Sequence, residues 1–137
     1  MKKLIFLIVL LFVPSVAVSQ VINTANVIDT VVVPSAVQTL SAGTTVADNA
    51  GTIQVVGNGG AVTLTGTPTI SAGVDGQRLL IRGTHDTNIV TLQDVANLGG
   101  SALWLGGVDF AMTNGDRLWL EYDGTLSAWV EISRTDN

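Results

Sequence analysis

Gly115-Asp116-Arg117-Leu118-Trp119-Leu120-Glu121-Tyr122-Asp123-Gly124-Thr125-Leu126-Ser127-Ala128-Trp129-Val130-Glu131-Ile132-Ser133 has the pattern of two alternating strands joined at an Asp-Gly turn. Successive side chains of a strand point to opposite faces, so alternation decides which residues share a side. Leu118, Leu120 and Tyr122 fall on one side of the first strand. Leu126, Ala128, Val130 and Ile132 fall on one side of the second. If both apolar faces point into the same core, the loop must hold an odd number of residues. A loop of Asp123, Gly124 and Thr125 pairs Tyr122 with Leu126, Leu120 with Ala128 and Leu118 with Val130. That register sets Trp119 opposite Trp129, and Arg117 opposite Glu131, on the outer face. Large aromatic groups outside a core mark a contact surface.

Outward from this hairpin, the same strand-and-turn texture continues upstream. Candidate strands occur at Ile53–Val56, Ala61–Thr65, Thr69–Ser71, Arg78–Arg82, Ile89–Gln93, Ala102–Leu105 and Asp109–Met112. Turns rich in Gly, Asn and Asp separate them, and these residues tolerate positive φ. No stretch keeps apolar residues at the helical spacing of three and four. Strands this short and evenly spaced predict an all-β fold of sandwich, jelly-roll or small-barrel type, of which a single small antiparallel β-sandwich or jelly roll is the expectation. Asp75–Ile81 echoes Asn114–Leu120, which is compatible with a Greek-key or duplicated-hairpin plan.

The N-terminal end has a different character. Lys2 and Lys3 precede an unbroken apolar run from Leu4 to Val13, and Ala17-Val18-Ser19 forms a small-x-small cleavage site before Gln20. This is the layout of a signal peptide, and the apolar run is shorter than the roughly 20 residues that span a bilayer. The expected organisation is a signal peptide at 1–19, an N-terminal extension at 20–42 and a β-sandwich domain at 43–137, with the mature protein secreted or held at the cell surface. The extension is β-prone at Val21-Ile22, Val27-Ile28 and Val31-Val32-Val33, and only Asp29 charges it. It is either the first strand of the domain or a segment that adds a strand to a neighbouring copy. In the second case Val27, Val31 and Val33 belong to an interface.

Composition narrows the function classes. Of six basic residues, Lys2 and Lys3 leave with the signal peptide; four arginines then face eleven carboxylates, a net charge near −7. That balance argues against nucleic acid, and against a membrane surface once the leader is cleaved. Cysteine is absent, so an exported domain of this kind relies on its core or on assembly. Charged residues make up only 12% of the chain, fewer than a soluble monomer's surface ordinarily carries. Self-association is the expectation.

Gly66-Thr67-Pro68-Thr69-Ile70, Asp75-Gly76-Gln77, Arg82-Gly83-Thr84-His85-Asp86-Thr87-Asn88, Val90-Thr91-Leu92-Gln93-Asp94 and the closing hairpin resemble a β-module of bacteriophage tail-fibre and structural proteins, also present in exported bacterial proteins of unassigned role. The resemblance covers roughly half the chain and rests on turn and strand residues. It implies a non-catalytic module, often terminal in a fibre, and brings no functional residues with it. The signal peptide departs from the pattern, because phage tail proteins assemble in the cytoplasm. An exported assembly built on a similar module is the implication.

Chemistry-bearing constellations are sparse. His85 is the one histidine and sits in the Thr84–Asn88 connection, a turn position, with no Gly-x-Ser-x-Gly elbow in the chain. One His without Cys cannot complete a zinc site. No EF-hand spacing occurs, which leaves calcium only a site assembled from two Asp-bearing turns. Glu121 and Glu131 could flank a sugar, but a charge pair between Glu131 and Arg117 is the simpler reading. No cofactor and no catalytic residue is expected. Trp119, Trp129, Arg117 and Glu131 form the candidate contact face, read two ways: an interface between copies of the chain in a filament, fibre or surface assembly, or a platform on which a glycan stacks, as in an adhesin or receptor-binding module.

Overall fold

The computed structural model describes residues 36–100 and 102–137. The predicted signal peptide and the interface candidates Val27, Val31 and Val33 lie outside the described residues. Val37–Leu40 forms β1, followed by β2 (Thr52–Gly57), β3 (Val62–Thr63), β4 (Arg78–Gly83) and β5 (Val90–Leu92). A four-residue helix, α1 (Val95–Leu98), precedes β6 (Leu103–Trp104), β7 (Phe110–Met112), β8 (Arg117–Asp123) and β9 (Ala128–Thr135). Every upstream strand predicted from sequence is present except Thr69–Ser71, where only an isolated bridge joins Ile70 to Val46.

The described residues form a mostly-β domain of two sheets, one six-stranded in the order β1-β2-β4-β8-β9-β6 and one three-stranded in the order β3-β5-β7. Its first half winds as a coil. β1, β2 and β4 lie parallel in the large sheet, β3 and β5 lie parallel in the small one, and Val46 pairs in parallel with Ile70 between them. From β1 the chain passes through the bridge at Val46 to β2, and from β2 it passes through β3 of the small sheet and the bridge at Ile70 before returning as β4. Parallel neighbours require crossovers of about a dozen residues or more. The segments between β1 and β2, and between β2 and β4, supply them. The second half closes the coil with reversed strands: β8 is antiparallel to β4, and β7 is antiparallel to β5.

The wholly antiparallel sandwich expected from sequence is therefore corrected. Antiparallel pairing holds for β4–β8, β8–β9 and β5–β7, whereas β1–β2, β2–β4, β3–β5 and β6–β9 are parallel. Alternation dictates which side chain points inward, not the direction of the neighbouring strand. The echo between Asp75–Ile81 and Asn114–Leu120 also has a different meaning. These segments lead into β4 and β8, which are neighbours, but the strand after β4 departs to the other sheet.

Burial follows the alternation closely. Ile53 and Val55 of β2, Leu79 and Ile81 of β4, and Leu118, Leu120 and Tyr122 of β8 all enter one core, met from the small sheet by Val90, Leu92, Phe110 and Met112. Gly83 ends β4 at a point where a Cβ would overlap the carbonyl oxygen of Thr113, so the close approach of the β7–β8 turn requires glycine.

Candidate outer face of the six-stranded sheet

The β8–β9 hairpin forms, but in another register. Asp123 pairs with Ala128, so the loop holds four residues, Gly124 to Ser127. The Asp123 carboxylate accepts the N–H groups of Thr125 and Leu126 at 2.8 and 2.9 Å, and Ser127 takes the left-handed conformation at φ 50°. An even loop shifts β9 by an odd number of residues against the expected register, which exchanges its faces. Tyr122 consequently faces Trp129.

Trp129, expected on the outer face, is fully buried. Its ring meets Tyr122 edge-on with centroids 5.3 Å apart, and its Nε1 donates to the Ser71 carbonyl at 2.8 Å. Gly73 leaves the room, since a Cβ there would press on the indole. A buried indole needs an acceptor for its N–H, and Ser71 supplies one from a segment 58 residues away in sequence.

The same register undoes the Arg117–Glu131 pair. Glu131 lies opposite Leu120 and binds Arg134, whose Nε donates to it at 2.7 Å. Arg134 also donates to the Leu105 carbonyl and lies over the Phe110 ring at 4.8 Å, covering the edge of the core. The hydrogen bond and charge of Glu131 hold the Arg134 guanidinium above its ordinary pKa, against the opposing effect of burial. Arg117 is exposed and pairs in register with Thr135. Glu121 instead receives the Nε of Arg78 at 3.0 Å, in an exposed pair of small energetic weight.

A bulge then leaves Ile132 as the extra residue of β9, between Glu131 opposite Leu120 and Ser133 opposite Trp119. Trp119 keeps the outward position that alternation predicts and is 42% exposed. Three residues that the hairpin pattern did not place outside join it there: Trp104 at 43%, Leu126 at 47% and Ile132 at 52% exposure. Ile132 lines one surface hollow with Trp104 and Val130, and another with Trp119 and Arg78. Ile132 therefore links Trp104 and Trp119 into one apolar strip across β8, β9 and β6. Trp104 was legible as a strand residue; its outward orientation follows only from its pairing with Val130.

No protein-family model, curated protein or solved structure matches the chain. Physical features of the surface thus carry the functional reading.

His85 serves its own turn: its Nδ1 accepts the N–H groups of Thr87 and Asn88, both at 3.1 Å. Among the described residues, no group of three or more His, Cys, Asp or Glu side chains gathers in a way that could hold a metal ion. The Asp75 carboxylate accepts the Gly124 N–H at 2.8 Å, so it pins the hairpin loop.

Two buried carboxylates brace the closing strands. Asp94 caps α1 through the Ala96 N–H at 2.9 Å and accepts the Leu105 N–H at 2.6 Å. Asp116 accepts the Thr113 N–H and hydroxyl at 2.6 and 2.9 Å, and the Asn137 N–H at 2.9 Å. Burial alone would push both carboxyls up. For Asp94 the N–H groups of Ala96, Leu105 and Gly107, with the charge of Arg134, outweigh it. For Asp116 the donors from Asn137 and Thr113 do so. Both pKa values end below the ordinary 3.8.

A carboxyl depressed in the folded state stabilises the protein above its unfolded pKa, and that contribution is lost as pH falls through the lower folded value. Thermal stability is therefore expected to hold from neutral pH down to about 4 and to decline below it. Asp116→Asn should melt lower than the parent at pH 7, with the difference shrinking as the pH drops below 4. Melting curves across this range provide the check; a difference independent of pH contradicts the assignment.

Proposed function

We propose that the chain is an exported, non-enzymatic structural subunit that self-associates into a filament, fibre or surface assembly. One observation carries the reading: Trp104, Trp119, Leu126 and Ile132 stand about half exposed on one side of a domain with few charges. Exposed apolar groups linked in this way mark an interaction surface, and tryptophan is enriched among residues that dominate interface energies. The low charge content of the whole chain suits a surface that copies of itself cover. Export rests on Lys2-Lys3, the apolar run to Val13 and the Ala17–Ser19 site. A strand donated by the segment at 20–35 would add to the same assembly.

The competing reading, a stacking platform of two adjacent indoles for a glycan, loses one member with Trp129 in the core. Of that pair, Trp119 alone stays exposed.

Sedimentation velocity over a range of concentrations tests self-association. The parent chain should associate as concentration rises. A Trp104→Ser, Ile132→Ser double variant should stay folded and weaken association by at least about tenfold, as loss of a central interface anchor commonly does. Trp119→Ala should act in the same direction. A parent that stays monomeric at the highest concentration reached, or variants that associate like the parent, would sink the proposal.

A further inference from the structure

Arg78, Arg82 and Arg117, three of the chain's arginines, point outward from the six-stranded sheet, because each alternates with a buried residue of β4 or β8. Two of them face each other. Arg82 stands directly across from Arg117, and Gln54 of β2 continues the row. Like charges opposite each other on adjacent strands destabilise a sheet. Among the described residues neither forms an ion pair, since the pairs there are Arg78 with Glu121 and Arg134 with Glu131. The Nε of Arg82 is buried and donates to nothing. A donor sealed from water without an acceptor is a costly arrangement, whereas Arg78, two residues back on the same strand, has its Nε on Glu121. The next outward pair along the two strands is Leu80 with Trp119. Two residues of strand cover about 7 Å, so an exposed indole lies roughly one sugar ring from the two facing arginines.

We propose that Arg82 and Arg117 form a carboxylate-binding pair which, with Trp119 beside it, holds a uronate unit of an acidic polysaccharide. A guanidinium presents a planar fork of N–H donors that matches a carboxylate, and it stays charged at any physiological pH. The incoming carboxylate relieves the repulsion between the two arginines. The apolar face of the sugar ring lies on the indole. The chain as a whole is acidic and repels a polyanion, so attraction depends on this local pair. This site adjoins the self-association strip and shares Trp119 with it, so a bound sugar and a second copy compete for that indole.

Calorimetric titration of the purified chain with oligogalacturonate, oligoalginate and hyaluronan fragments tests the site, with carboxyl-reduced neutral counterparts alongside. At least one acidic fragment should bind saturably and its neutral counterpart should not. Arg82→Gln and Arg117→Gln should each weaken binding by at least about tenfold. Their melting temperatures should equal or exceed that of the parent, because the like-charge contact is relieved. Trp104→Ser should keep the affinity while weakening self-association, and Arg117→Gln should do the reverse; the two proposals thus fail separately. No binding by any acidic fragment, equal binding of the neutral forms, or unchanged affinity in the arginine variants overturns the site. So does a marked loss of stability in both arginine variants, which would make the pair structural.

Discussion

Leu120→Asp is expected to leave the domain unfolded at neutral pH. Leu120 is fully buried at the centre of β8, with Leu79 across it on β4 and Glu131 across it on β9. Loss of the leucine's burial costs about 2–3 kcal/mol. A carboxyl held in an apolar site has its pKa raised by up to about 3–5 units, each worth about 1.4 kcal/mol at a pH where it would otherwise be charged. The sum is comparable with the whole stability of a domain this size, roughly 5–15 kcal/mol. The position of Glu131 worsens the outcome, because a second carboxylate would then face it across the strands. Far- and near-UV circular dichroism with thermal melting measures the effect. A cooperative transition within a few degrees of the parent would show that β8 does not turn this face inward.

Trp129→Ala should cost about 3–5 kcal/mol, the usual range for deleting a buried aromatic side chain. The indole fills the space over Gly73, meets Tyr122 edge-on and satisfies the Ser71 carbonyl. Truncation leaves a cavity and removes that hydrogen bond together. Trp119→Ala, on the opposite face, should change stability by no more than about 1 kcal/mol. Chemical denaturation of the two variants is a direct test of the hairpin register. If Trp119→Ala is the more damaging, the four-residue loop and the faces derived from it are wrong.

The contrast between these tryptophans shows how far local pattern reaches. Strand positions were legible because alternation and turn residues are local properties. β2, β4, β5, β7, β8 and β9 each coincide with a short Val-, Leu-, Ile- or Phe-bearing run. The inward set on β8 was legible for the same reason. Register across the turn was not, because it depends on how Asp123 caps the loop and whether Ser127 accepts a positive φ. One residue of difference in loop length moved Trp129 into the core and brought Ile132 and Leu126 out. Val37–Leu40 is likewise β-prone in sequence, yet its parallel pairing with β2 depends on a crossover that no local signal describes.

The outer-face site has the same split history. Arg82 and Arg117 are 35 positions apart in sequence, and nothing in either neighbourhood pairs them. Antiparallel contact between β4 and β8 sets them side by side. Trp104 reaches the same face because β6 adds to β9 in parallel after the Asp94-capped helix has turned the chain.

From the hairpin at Gly115–Ser133 outward, the amino-acid order alone determined where the chain extends, where it turns and which residues of β8 face inward. These follow from the two-residue period of a strand and from the few residue types that tolerate turn geometry. The tertiary structure alone decided strand direction, register and hence what the outer face displays. Those outcomes depend on contacts between segments tens of residues apart, such as the Trp129 indole on Ser71 and Arg82 across from Arg117.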